Sequence, residues 1–299
     1  MMKKIVCFLA AATLLLAVSA ALADEEEGSI RYKILDDGTA MLTEYRTYEE
    51  NVVLPDTVGG KPLTQIGEKA FARHSSLKSI RIPDQVVSIG VSAFSGCTSL
   101  RYLTLPASLT YIGKYAFYDC DGLTEITVPD QVESIGASAF GDCDNLERVV
   151  LPANLDIIEK AVFGSCDKLR EVTFQGSVRE IGPQAFNYCR SLEKIDLPEG
   201  LTTLGFSVFY GCKNLKDVRL PKSLVSMGEC VFMECSHLTE VELPAGVTEF
   251  GRYIFSKPGN SLNYVPLENV TVLVTPGTPA QAYCEAEGYR WAPVQSTDD

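Results

Sequence analysis

Histidine is almost missing from this chain: His74 and His237 are the only two in 299 residues. No nucleophile elbow, Walker-type loop, GxGxxG after a strand, or HExxH occurs either. The ten cysteines include no CxxC pair, so a zinc site lacks its ligand spacing. These absences remove most of the catalytic and metal chemistry that a sequence can announce. Basic residues are also short. Setting aside Lys3 and Lys4, which sit in a leader segment, 24 Lys and Arg face 39 Asp and Glu, a net charge of −15. A surface that tracks phosphates needs clustered Lys and Arg, so nucleic acid is not an expected partner. Beyond the first residues, no apolar run approaches the ~18 residues that span a bilayer.

The first residues carry Lys3 and Lys4, an apolar stretch from Ile5 to Ala21, and Ala21-Leu22-Ala23 ahead of the acidic run Asp24 to Glu27. That order reads as a signal peptide over residues 1–23, cleaved after Ala23. The expected mature chain is exported, secreted or on the cell surface, with no visible anchor. Cys7 lies too early to accept a lipid.

What the chain has in abundance is repetition. Phenylalanine recurs every 23 residues from Phe71 to Phe255 without a slip, and leucine keeps the same step from Leu77 to Leu238. Proline follows at 83, 106, 129, 152, 198, 221 and 244, with Gln175 as its lapse; glycine runs from Gly67 to Gly251, with Glu159 as its exception. A fixed period of this length is the mark of a solenoid. Within one unit, Leu103 and Leu105 alternate with Tyr102 and Thr104, the period-2 pattern of a short strand. Pro106 ends that strand. Leu109 and Ile112 imply a second short extended piece, with Gly113 permitting the corner. Ala116, Phe117 and Cys120 then suggest a helical or 3₁₀ turn. The expected fold class is an α/β-type repeat solenoid with stacked parallel strands.

The unit "IGVSAFSGCTSLRYLTLPASL" resembles the BspA-like family of leucine-rich repeat proteins. That resemblance implies a cap in 24–62, a solenoid of eight to nine repeats in 63–264, and a closing cap in 265–299 with a short helix near 278–287. It also implies exported bacterial surface or secreted proteins that attach to host matrix or to other cells.

Seven cysteines, Cys97 to Cys235, form one column at the repeat step, and an odd number cannot pair among themselves. Side chains that point the same way suit a disulfide poorly, so they read as small buried hydrophobes. Cys230 and Cys284 stand off the column as candidates for a bridge or a reactive thiol. His74 occupies the column position before Cys97, where a half-exposed end would tolerate a polar ring. Two outward columns, Glu125-Arg148-Glu171-Lys194-Asp217 and Glu147-Arg170-Glu193-Lys216, alternate in sign and in opposite phase. Opposite charges across neighbouring strands stabilise a sheet by ~0.2–1 kcal/mol per pair, which makes this a self-neutralising face. An acidic patch of Asp217, Glu240, Glu242 and Glu249 closes it, without the ligand spacing of a calcium loop.

The candidate contact residues are aromatic. Tyr102, Tyr111, Tyr115 and Tyr118 fall within two consecutive units, and Phe206 and Tyr210 form a smaller group. Tyrosine offers a large rigid contact with a polar tip; the same rings also serve to cover gaps between repeats, and the sequence leaves both roles open. Three functions are weighed on this basis. The leading one is a noncatalytic recognition protein, with no cofactor, for a protein or glycoconjugate partner in a host matrix or on another cell. Next is an envelope-associated scaffold without a ligand. Last is a carboxylate-dependent hydrolase, which a thin slab disfavours for want of a deep cleft.

Overall fold

A hydrophobic residue every second position, then a proline, then a corner: repeated at a fixed step, this pattern can bury itself only against its own copies. The structure, a computed structural model, describes residues 24–259 and 263–295; the expected signal segment 1–23 lies outside the described residues. Each repeat makes one three-sided turn of a coil. One side is a row of longer strands that starts at Asn51–Val53 and continues through Ser79–Arg81 and Tyr102–Thr104 as far as Trp291–Pro293, eleven strands in all among the described residues. The second side is a row of two-residue strands such as Ser88–Ile89 and Tyr111–Ile112. Where neighbours in either row pair, they pair parallel, one repeat apart in register: Tyr111 faces Ser88, and Arg148 faces Glu125.

The third side corrects an expectation. It is not helical. Residues in the left-handed region recur at two fixed places per repeat, as at Tyr115 (φ 57°) and Asp119 (φ 58°), and break each potential helix into separate turns. Amides there alternate in their use. Ala116 and Tyr118 donate back three residues, to Gly113 and Tyr115, whereas Tyr115, Phe117 and Asp119 donate to Ala137, Ala139 and Gly141 of the next repeat. The turn side is therefore a third hydrogen-bonded row. Left-handed backbone costs an L-residue roughly 1–2 kcal/mol and is worst for β-branched side chains. The two columns comply: from Lys69 to Tyr253 and from Arg73 to Glu234 they contain no Val, Ile or Thr. One helix is described, α1 (Pro279–Glu287), ended by Gly288 at φ 72°.

The core follows the columns. Phe71 to Phe255 are all fully buried, ring upon ring, with centroids 5.0–5.8 Å apart and nearly parallel planes. Tyr45 extends the stack at its start (4.9 Å), and Tyr289 closes its end edge-on at 5.6 Å. At the start of the chain, β1 (Glu25–Glu27), β2 (Ile30–Ile34) and β3 (Ala40–Tyr45) form an antiparallel ribbon, whose last strand joins the short-strand row through Lys61–Ile66.

Glycine also serves differently from the corner role read in the sequence. Gly113 has no positive φ; instead, a Cβ there would meet the backbone of Gly90 and Val91 at 2.6–2.8 Å. The column is glycine because successive corners touch. Where proline lapses, Gln175 uses the amide that proline would lack and donates to Leu151 O at 3.3 Å.

Candidate functional site

The six aromatic residues do not converge on one surface. Tyr102 stands on the long-strand side, 71% exposed, over a groove of about 750 Å³ lined in part by Val53, Arg81, Arg101 and Leu103. Tyr111 lies on the short-strand side (42% exposed), and Tyr115 (36%) follows it round the corner, at the first left-handed position of the turn side. Tyr115 is braced: the Lys114 ammonium sits 4.8 Å from its ring centroid, and Tyr118 meets it edge-on at 5.5 Å. Tyr118 is half-buried and donates its hydroxyl to the Asp142 carboxylate one repeat on. That hydrogen bond, with burial second, pushes the Tyr118 phenol up to about 12. Tyr210, four repeats later in register, likewise donates to Glu234 at 3.0 Å, and its phenol is raised first by burial and then by hydrogen bonds with Tyr188 and Glu234. Tyr118 and Tyr210 thus spend their polar tips within the solenoid.

What gathers instead is a smaller apolar cluster. Val87 and Val91 flank one corner, Tyr111 and Tyr115 flank the next, and all four are exposed. Phe206, 46% exposed, and Val225 repeat the theme further along the same side, in the columns of Val91 and Val87. The valines were missed in the sequence, although a signal existed: the Val87 column elsewhere reads Thr110, Glu133, Asp156, Arg179 and Thr202. An apolar residue in an outward column that is otherwise polar marks a contact surface better than aromaticity alone.

The thiols are held inside. Every column cysteine is fully buried and donates its S–H to the carbonyl of the phenylalanine 26 residues earlier, as Cys120 does to Phe94 O at 3.2 Å. Burial pushes Cys143 and Cys212 up to about 12, far from the thiolate that reacts. All nine described cysteines are free; Cys284 is buried under the cap, and Cys230 is part-exposed. We expect a thiol reagent to label one group of the native mature chain quickly, Cys230, and the other eight only at the rate of unfolding. Rapid labelling of several thiols, counted by mass, would contradict this arrangement. His74 departs from the half-exposed position read for it: it is buried, 2.9 Å from Tyr45 O through Nε2, and stacked under Tyr48 at 4.6 Å.

The charge columns close in part. Arg148–Glu125 (2.8 Å), Lys216–Glu193 (2.9 Å) and Lys194–Asp217 (3.6 Å) form ion pairs across neighbouring strands. All are exposed, so water screens each pair and it contributes little to stability. Asp217, Glu240 and Glu242 line a groove of about 630 Å³ with Arg219 and Lys222. Among the described residues, no cluster of His, Cys, Asp and Glu forms a metal site, and no helix is long and apolar enough to cross a membrane.

Stacked parallel strands, a leucine column and a constant step define a leucine-rich repeat protein. The BspA type leucine rich repeat region, in six copies, matches residues 64–193 and 158–275. The chain belongs to that family. Among solved structures it is similar to a leucine-rich repeat protein from Bacteroides ovatus, with TM-score 0.50 and 22% identity over 91% of this chain and 100% of that one. This likeness supports the fold. It is also similar to a T. pallidum leucine rich repeat protein (TM-score 0.48, 26% identity, 64% of this chain and 91% of that one). A leucine rich cell surface protein from Faecalibacterium prausnitzii gives TM-score 0.46 and 20% identity over 92% of this chain and 96% of that one. No curated protein matches.

Proposed function

We propose that this chain is an exported recognition protein, without catalytic activity, that binds another macromolecule through its repeat surface. In this reading, residues 1–23 direct export, 24–62 and 265–299 cap the solenoid, and the ligand is a protein or glycoconjugate of a host matrix or another cell. The observation that carries it is the exposed cluster of Val87, Val91, Tyr111 and Tyr115. Water-facing apolar groups weaken solubility, and the fold does not require these four, since the same columns also accept polar residues such as Thr110, Lys114, Ser134 and Ser138. A stiff scaffold adds to this, because little conformational entropy is lost when a preformed surface docks. The paired charge columns favour a second reading, an envelope scaffold whose strand face has no ligand.

The test is binding of residues 24–299 to immobilised extracellular-matrix proteins and to whole cells, beside the variant Tyr111→Ser/Tyr115→Ser. We expect saturable binding that the variant weakens by roughly 10- to 100-fold, as for loss of aromatic hot spots. Tyr102→Ser, on another side of the coil, serves as the contrast. Binding that survives the double change moves the site elsewhere; no binding at all favours the scaffold.

A further inference from the structure

The corner glycines stack so closely that one exception has structural consequences. At eight of nine corners the column residue donates its amide to the short strand of the preceding repeat, for example Gly113 to Ile89 O and Gly182 to Ile158 O. The ninth corner is Glu159, and it makes no such bond. The same junction loses a second rung. Glu133 bonds Thr110 O and Arg179 bonds Asp156 O, but Asp156 does not bond Glu133. The short-strand row accordingly divides into two sheets, one ending at Ser134–Ile135 and the other beginning at Ile157–Ile158.

The cause is steric. A Cβ at Gly136 would lie 2.4 Å from Lys114 N and 2.8 Å from Gly113 C, so a Cβ in this column points into the corner before it. Glu159 has that Cβ, and the corner it points at, Gly136, must stand off.

The other two sides hold across this junction. The long strands are continuous from Glu125–Thr127 through Arg148–Leu151 to Glu171–Phe174. On the turn side, Ser138, Phe140 and Asp142 donate to Lys160, Val162 and Gly164. The long-strand row has breaks of its own, after Tyr102–Thr104, Glu171–Phe174 and Asp217–Arg219, but the short-strand row has only this one among the described residues.

We propose that the Gly136/Glu159 junction is a one-sided hinge: the short-strand side opens and closes there while the other two sides stay bonded, and the block before residue 136 bends against the block after 159. The two exposed apolar clusters straddle the corner between that side and the turn side and lie on opposite flanks of the hinge, Val87 to Tyr115 before it and Phe206 with Val225 after it. Bending changes their separation. A partner touching both would hold one angle, a consequence that rests on the recognition reading, whereas the hinge itself does not.

The test uses nitroxide pairs in a Cys230→Ser background of the mature chain, read as distance distributions by pulsed electron spin resonance. One pair, at Glu133→Cys and Val225→Cys, crosses the junction in a single column over four repeats, about 19 Å at the usual strand spacing. The control pair, at Asp156→Cys and Thr248→Cys, spans four repeats of the same column on one side of it. We expect the crossing distribution to be about twice as wide as the control, and Glu159→Gly to narrow it to the control width while Glu159→Ala leaves it wide. Equal widths in the parent chain, or a width unmoved by Glu159→Gly, would overturn the hinge. Because Glu159→Gly restores the residue used at the other eight corners, misfolding is not the expected outcome; circular dichroism and the control pair check it.

Discussion

Replacing Phe163 by alanine is expected to cost about 3–5 kcal/mol and to split the unfolding transition in two. Phe163 is fully buried at the middle of the stack, with Phe140 5.7 Å away on one side and Phe186 5.5 Å on the other. Truncation removes the lost transfer free energy and leaves a cavity that two flat rings cannot fill, since each is fixed by its own repeat. A solenoid has only nearest-neighbour contacts, so neither end compensates for damage in the middle. Against a total of about 5–15 kcal/mol for an ordinary domain, this loss uncouples the two halves. Urea unfolding followed by circular dichroism reads it: a single transition shifted by under ~1 kcal/mol would rule out the stack as the element that couples the repeats.

Gly228→Ala should be nearly as damaging, about 2–4 kcal/mol, although it adds one methyl group at a surface corner. The new Cβ would lie 2.6 Å from Gly205 C and Phe206 N, backbone atoms that no rotamer change can move. The corner must lift, and the bonds of Gly228 to Leu204 O and of Val225 to Thr202 O loosen with it. The variant should therefore reproduce, in the second half of the solenoid, the seam that Glu159 makes in the first. Hydrogen exchange at residues 225–228 would rise together with the loss of stability. Gly246→Ala is the control. Its Cβ meets nothing nearer than 3.5 Å and its φ is ordinary, so stability should stay level or rise slightly. If both variants behave alike, corner contact is not why the column is glycine.

The turn side shows where reading the chain in one dimension went astray. Ala116, Phe117 and Cys120 have a spacing that a helical turn would also bury on one face, so the pattern points to a helix. What prevents it is a left-handed residue at two places per repeat, and these are marked by no common residue type: Lys69, Ser92, Tyr115, Ala161 and Cys230 share one column. Only the exclusion of β-branched residues betrays it. The aromatic site is a similar case. Four rings close in sequence, Tyr102 to Tyr118, are distributed over three sides of a coil, and Tyr118 and Tyr210 are turned inward by acids 24 residues away, Asp142 and Glu234. The valines completing the exposed cluster come from the repeat before the tyrosines.

The period, the buried phenylalanine, leucine and cysteine columns, the strands and the leucine-rich repeat family were all legible in the order of residues. A constant step forces identical side chains into identical environments, and only stacking then buries them. The path round each corner was not legible, nor which outward residues meet, nor what one missing glycine does. Those depend on where a Cβ points and on how near the next turn of backbone comes, distances of 2.4–2.8 Å that exist only once the repeats are stacked.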